Sequence, residues 1–301
     1  QMMYVGGIKD GKPSAKVYSL NFDQTVTKAV ELPDLPVPLV GAGSTIIGDI
    51  LYVAGGLTSL DPPVHNTKVF QINLKEAKVD LAREVSLLMP DWEVLMELPE
   101  EMQGGVLKPV MTAQLDDRVD WNALLIVGGW QPTEEGGYLP SPEAHYMFPQ
   151  DGIEGKPKKW RPLKSVPTSL GLNSGMQYGQ SFIVYGASTA PSQPISALEL
   201  WLPADGQASL ILQDFRTDNW ISLPTGELEA SPLVIHSGRL SVELYSPASG
   251  LATALEFQTA ERRFPPEAYM VIVINIGGML FLGWFYNRKN KGKGLDQYLL
   301  A

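Results

Sequence analysis

Apolar positions in the first 264 residues fall in short runs that end in glycine. "MMYVGG" closes on Gly6 and Gly7, "DILYVAGG" on Gly55 and Gly56, "ALLIVGG" on Gly128 and Gly129, and "SFIVYGA" holds Gly186. Each run is long enough for one buried inner strand. Beyond a polar loop comes a second run: "AKVYSLNF", "TKVFQINL", "EAHYMF" and "SALELWL". Three units then close on a tryptophan and a proline: "WEVLMELP" from Trp92, "WRPLKSVP" from Trp160 and "WISLP" from Trp220. A fifth, blurred copy reads "GRLSVELYSP" and then "TALEF". The first glycines stand at positions 6, 55, 128 and 186, a period of roughly 50 to 70 residues.

Each unit predicts a small antiparallel sheet. The glycines let the backbone turn sharply and approach a neighbouring sheet closely. The aromatic of the second run and the closing tryptophan fill the space between sheets. A sheet of this size cannot bury both faces alone, so the units are expected to stack around an axis. The pattern resembles the kelch repeat, and the resemblance implies an all-β, kelch-like β-propeller over residues 1–264. About five blades are legible and six are expected, because the chain opens inside a strand at Gln1 and the first unit is entered partway through. An irregular β-sandwich is the alternative.

The pattern changes completely after residue 264. Pro265 and Pro266 make a stiff break, and residues 268–286 follow with no charge and with Asn275 alone strongly polar. A helix of that length spans about 28 Å, close to the hydrocarbon thickness of a bilayer. Tyr269 stands at one end and Trp284, Phe285 and Tyr286 at the other, where interfacial aromatics belong. Such a segment predicts a transmembrane helix contacting membrane lipid; a buried globular helix is the alternative. Gly277, Gly278 and Gly283 allow close helix packing, and Asn275 suits one interhelical hydrogen bond or, alternatively, a ligand in the membrane. Arg288, Lys289, Lys291 and Lys293 come next, so the positive-inside rule puts the C-terminus in the cytoplasm. The expected setting is a bacterial inner membrane with the propeller on the periplasmic or extracellular side.

Charge sharpens this division. The net is −10, yet from Asn287 to Ala301 four cations face Asp296 alone, which is +3 and leaves −13 for the rest. An acidic body without a basic, aromatic-interleaved patch excludes nucleic acid as a partner. Hydrophobic content of 44% is ample for a core, and the absence of cysteine excludes disulfides, thiolate metal sites and a cysteine nucleophile. His65, His145 and His236 sit on separate units without ligand spacing, so neither a metal nor another cofactor is expected. Trp130, directly after a glycine pair, is the candidate to stack on a sugar ring; an aromatic plugging a blade junction is the alternative. Lys9, Asp10, Glu134 and Glu135 read as solvated turns.

The stretch "VIVINIGGMLFLGWFYNRKNKGKGLDQYLLA" resembles the opening of sodium/solute symporters, where a first helix and a basic turn precede an aspartate–aromatic–leucine motif. Asp296, Tyr298, Leu299, Leu300 and Ala301 follow that order. The repeats are similar to the kelch domain fused ahead of some such transporters, itself similar to the cyclically permuted mutarotases, a group that includes sialic-acid mutarotase. The resemblance implies handling of a sugar or other organic solute beside a sodium-driven importer, with the sodium site outside this stretch. Mutarotation needs an acid and a base flanking the anomeric carbon, which that group is thought to supply as a glutamate and an arginine. At the matching positions this chain has Ser246 and Ala252, or, in the other alignment, Ala187 and Gln193. Three readings follow: a sugar-binding or sensor domain of a symporter, a membrane-tethered mutarotase or epimerase, and a propeller scaffold on a single anchor. The first is adopted.

Overall fold

The computed structural model describes residues 2–22, 27–75, 91–114, 122–149, 158–167, 174–178, 181–187, 193–196, 200, 208–214, 217–223, 234–237, 241–245 and 252–256. The chain divides into Gln1–Glu256 and Phe257–Ala301. Among the described residues no helix is long and apolar enough to cross a membrane. The expected span at 268–286, with Tyr269, Trp284, Tyr286, Arg288 and Lys289, lies outside them.

The fold is all-β and built of many small antiparallel sheets. In five of these the strand order follows the chain. The first sheet holds Met2–Val5, Val17–Phe22 and Thr27–Leu32. Gly43–Ile47, Ile50–Ala54, Lys68–Asn73 and Glu93–Glu97 make the second. The third comprises Val110–Gln114, Ala123–Val127, Ala144–Met147 and Arg161–Pro162. The fourth is Ser174–Tyr178, Ser181–Ala187, Ala208–Asp214 and Asn219–Leu223. Val234–Ser237, Ser241–Tyr245 and Ala252–Glu256 form the fifth.

Two expectations change. In the second, third and fourth sheets the run that carries the glycines is the second strand, not the innermost, whereas Met2–Val5 is the first described strand of its sheet. Gly43–Ile47 lies against Val110–Gln114, that strand against Ser174–Tyr178, and that against Val234–Ser237. Meanders placed side by side through their first strands are consistent with a kelch-like propeller. In the fourth unit, the ladder partner of Ser181–Ala187 is Ala208–Asp214 and not the run "SALELWL". Both runs are apolar, but Ala208–Asp214 leads through a short turn directly into the tryptophan strand Asn219–Leu223, with which it pairs in full.

The core lies between sheets. Ala123–Val127 shows why its sequence is apolar throughout: every residue is buried, and the two faces serve different neighbours. Leu124 and Ile126 pack with Tyr52, Val69 and Met111 towards the second sheet. Ala123, Leu125 and Val127 pack with Phe182, Val184 and Ile211 towards the fourth. A strand with apolar neighbours on both faces loses the polar alternation of a half-exposed one.

The closing tryptophans fasten one sheet to the sheet before it. The Trp92 indole N–H donates to the Pro33 carbonyl at 3.0 Å, just past the last strand of the first sheet. Trp160 donates to Glu97 at 2.9 Å and Trp220 to Lys164 at 2.8 Å, each reaching back one sheet. Their rings pack against the clusters between those sheets. Bulk and a directed hydrogen bond thus act at the same three junctions.

Candidate binding face

Glycine pairs end the strands Met2–Val5, Ile50–Ala54 and Ala123–Val127 on one side, and a hairpin follows each. The hairpins are Ile8–Lys9 with Lys12–Pro13, Leu57–Leu60 with Pro63–His65, and Trp130–Pro132 with Tyr138–Pro140. Gly6, Gly7, Gly55, Gly56, Gly128 and Gly129 all have positive φ. At Gly55 (φ +69°) a Cβ would stand 2.6 Å from the Val106 carbonyl oxygen, so both the dihedral and the close approach demand glycine. Gly56 donates its N–H to that same carbonyl at 2.8 Å. Gly186 differs: it pairs with Ser209 inside its strand and continues the ladder where the other pairs end it.

The segments linking the first three sheets arrive at this same side, as does one between the second and third strands of the fourth. Single bridges join Ser14 to Leu39, Val40 to Leu57, Leu107 to Trp130, and Tyr138 to Ile195. A polar residue stands ahead of the next strand of each ladder, Val17–Phe22, Lys68–Asn73 and Ala144–Met147. The Ser14, Asn66 and Ser141 backbone N–H groups donate to the carbonyls of Gly7, Gly56 and Gly129. Their side-chain oxygens accept from the N–H two residues on, at Lys16, Lys68 and Glu143. Sequence reading missed this set because serine and asparagine share no hydropathy signal; the clue is a short polar side chain one or two residues before each second run.

Where hairpins and linking segments meet, Val40, Leu57, Leu107, Trp130, Tyr138 and Leu200 form an apolar cluster. Polar side chains are set into it. The Lys108 backbone is left-handed (φ +48°), and its N–H donates to the Gly41 carbonyl at 2.6 Å. Its amine donates to the carbonyl of Leu200. Burial holds the Lys108 pKa down at about 8. Tyr138 Oη lies 3.1 Å from His65 Nε2, and the two rings meet at a tilt. Burial lowers the His65 pKa and raises that of Tyr138.

Trp130, the expected sugar platform, is 5% exposed, its indole enclosed in the cluster and its Nε1 without a hydrogen-bond partner. His145 is 2% exposed, on the third strand of the third sheet. Its Nε2 stands 3.1 Å from Glu101 Oε2 on the segment between the second and third sheets, while Nδ1 is buried without a partner. Burial pushes the His145 pKa down; the charges of Glu101 and Glu143 and the Glu101 hydrogen bond oppose this in part. His65 and His145 do not converge on one point, and among the described residues no group of His, Asp and Glu could hold a metal ion. Asp10, Glu134 and Glu135 are exposed turn residues, while Lys9, also exposed, ends the short strand Ile8–Lys9 and pairs with Lys12. Lys108 was not singled out in the sequence, where a lone lysine reads as solvated surface.

A search against protein-family models found no match, and no curated protein matches the sequence. Among solved structures, that of YjhT matches with a TM-score of 0.50 and 16% sequence identity, covering 76% of this chain. The match spans 64% of the YjhT chain. At that identity the likeness speaks for the fold: an all-β assembly of small sheets, as the repeats led one to expect.

Proposed function

We propose that this chain binds a sugar or another organic solute on its glycine-ended face, as the extracytoplasmic propeller of a sodium/solute symporter. The observation that carries the reading is the polar set held in an apolar cluster where hairpins and linking segments meet: Lys108, Tyr138, His65 and Trp130. Small-molecule sites commonly combine apolar walls with a few placed polar groups. The apolar residues 268–286 and the basic turn after them support a membrane setting, in which the propeller faces outward and the C-terminus inward. The mutarotase alternative asks for an acid–base pair, and the positions designated by the resemblance hold Ser246 and Ala252, or Ala187 and Gln193.

Calorimetry of the purified chain against a panel of hexoses, amino sugars and sugar acids tests the binding. Saturable heat with at least one compound, lost on replacing Tyr138 with Phe together with His65 with Gln, is the expected outcome. Heats no larger than dilution across the panel would remove the reading. Orientation is separately testable: a membrane-impermeant amine reagent applied to intact cells should reach Lys9 and Lys158 and spare Lys289, Lys291 and Lys293.

A further inference from the structure

Two observations on different sheets meet at one place beside the first sheet. One is an open edge. In the second to fourth sheets the glycine-bearing strand pairs on one edge with a first strand, Gly43–Ile47, Val110–Gln114 or Ser174–Tyr178. Met2–Val5 ends in a glycine pair as Ile50–Ala54 and Ala123–Val127 do, yet among the described residues it is paired on one edge alone, with Val17–Phe22. Bonding in an antiparallel ladder alternates, and the Gly6 N–H already donates to the Lys16 carbonyl. Met3 and Val5 therefore turn their N–H and C=O groups to the open edge. Such an edge is a template for one more strand.

The other observation is an uncovered face on the second sheet. Counted from the glycine pairs, Ser44 and Ile46 are the equivalents of Met111 and Ala113: they pair with Val53 and Leu51, as the latter pair with Ile126 and Leu124. Met111 and Ala113 are 5% and 6% exposed, in the cluster that holds Ile47 and Tyr52 of the second sheet. The preceding first strand covers them, for a Cβ on Gly43 would stand 3.0 Å from Met111 Cγ. Ser44 is exposed and Ile46 is 38% exposed. They share a face with Leu51 and Val53, which pack with Val17 of the first sheet. An apolar side chain thus stands open beside an apolar strand with an open edge.

We propose that the Met2–Val5 edge and the Ile46 face together accept one antiparallel β-strand of polypeptide, joined to the start of Met2–Val5 through a short turn. A strand there completes the first ladder and covers Ile46 at once. The joined source follows the other units: first and second strands are separated by two residues between Ile47 and Ile50 and again between Tyr178 and Ser181. The side chains it turns to the second sheet correspond to Gly43, Thr45 and Ile47, small at the glycine-ended side and apolar at the other.

The test uses the whole chain in detergent, extended ahead of Gln1 by a copy of residues 43–49, "GSTIIGD", or of 174–180, "SGMQYGQ". Amide exchange at Met3 and Val5 should slow by about tenfold or more with at least one of these donors. Prolines at the Gly43 and Thr45 positions of the first donor remove the N–H groups the ladder needs, and should abolish the effect. Ile46→Asp should leave the melting temperature of the unextended chain nearly unchanged and lower it in the chain that gains protection. Exchange unaltered by both donors, or slowed equally by the proline control, overturns the proposal. So does protection in the unextended chain that grows with protein concentration, which would assign the edge to a second copy.

Discussion

The tryptophan junctions allow a calculation that can fail. Replacing Trp160 by benzothienylalanine preserves ring shape and removes only the N–H donated to the Glu97 carbonyl at 2.9 Å. That carbonyl lies at an exposed position, so water can replace the lost donor and no orphan penalty arises. What remains is the net value of one hydrogen bond, about 1 kcal/mol. For a unit of this size, that is a fall in melting temperature of about 2–4 °C. Trp160→Phe also removes ring surface packed against the cluster that holds Leu98, Met102 and Met147. At about 25 cal/mol per Å², losing roughly 30 Å² of burial adds about 0.75 kcal/mol, for a total near 2 kcal/mol.

Thermal unfolding followed by far-ultraviolet circular dichroism reads both variants. The internal control is the same isostere at Trp130, whose N–H has no partner to lose. It should leave the melting temperature unchanged or raise it. Trp92 and Trp220 hold equivalent bonds at other junctions with separate partners, so three isosteres together should sum to about 3 kcal/mol. If the Trp160 and Trp130 isosteres shift the melting temperature equally, the directed bonds contribute nothing and packing alone holds the junctions.

Other perturbations separate other causes. Gly48 and Gly55 share nearly the same φ, +62° and +69°, but a Cβ at Gly48 meets nothing within 4 Å while at Gly55 it meets the Val106 carbonyl at 2.6 Å. Gly48→Ala should cost about 1 kcal/mol for the dihedral alone, and Gly55→Ala about 3 kcal/mol or more in urea unfolding. Asn66→Ala removes donations to Gly55 and Lys68 carbonyls and acceptance from the Lys68 N–H, and should cost about 2 kcal/mol by the same measure. His145 is neutral in the fold, with a pKa below its ordinary 6.5, so the unfolded chain takes up the proton first as pH falls. Stability is therefore full above pH 6.5 and is lost as pH drops towards the folded pKa; His145→Leu should flatten this part of the profile.

Features fixed by backbone stereochemistry were legible in the sequence. A pair of residues with positive φ at the end of a strand admits little but glycine, so three of the four turns announced themselves, and Gly186 misled because one glycine inside a ladder looks the same on paper. The closing tryptophans were legible as spacers, yet the carbonyls they bind belong to the preceding sheet. Lys108, His65 and His145 were not legible as a group, since their character comes from burial and from partners on other units: Leu200, Tyr138 and Glu101. The run "SALELWL" failed because hydropathy does not say which of two apolar runs joins a ladder, and pairing was decided by the short turn after Asp214.

The same repetition that builds the fold also explains where chemistry can collect. On the glycine-ended side, the first three sheets reverse direction through glycine pairs of positive φ, and bridges tie the hairpins that follow to neighbouring segments. Backbone groups there are satisfied by the bridges and by Ser14, Asn66 and Ser141, which leaves side chains of the hairpins free to differ between units without disturbing the ladders. Across the three hairpins the residue after the glycine pair is Ile8, Leu57 or Trp130. A residue with a buried polar atom at one of three equivalent positions adds nothing to the packing that leucine does not already supply. The asymmetry at Trp130 is what distinguishes this unit from its neighbours, and its bridge partner Leu107 precedes Lys108, which among the described residues is the one lysine with a left-handed backbone.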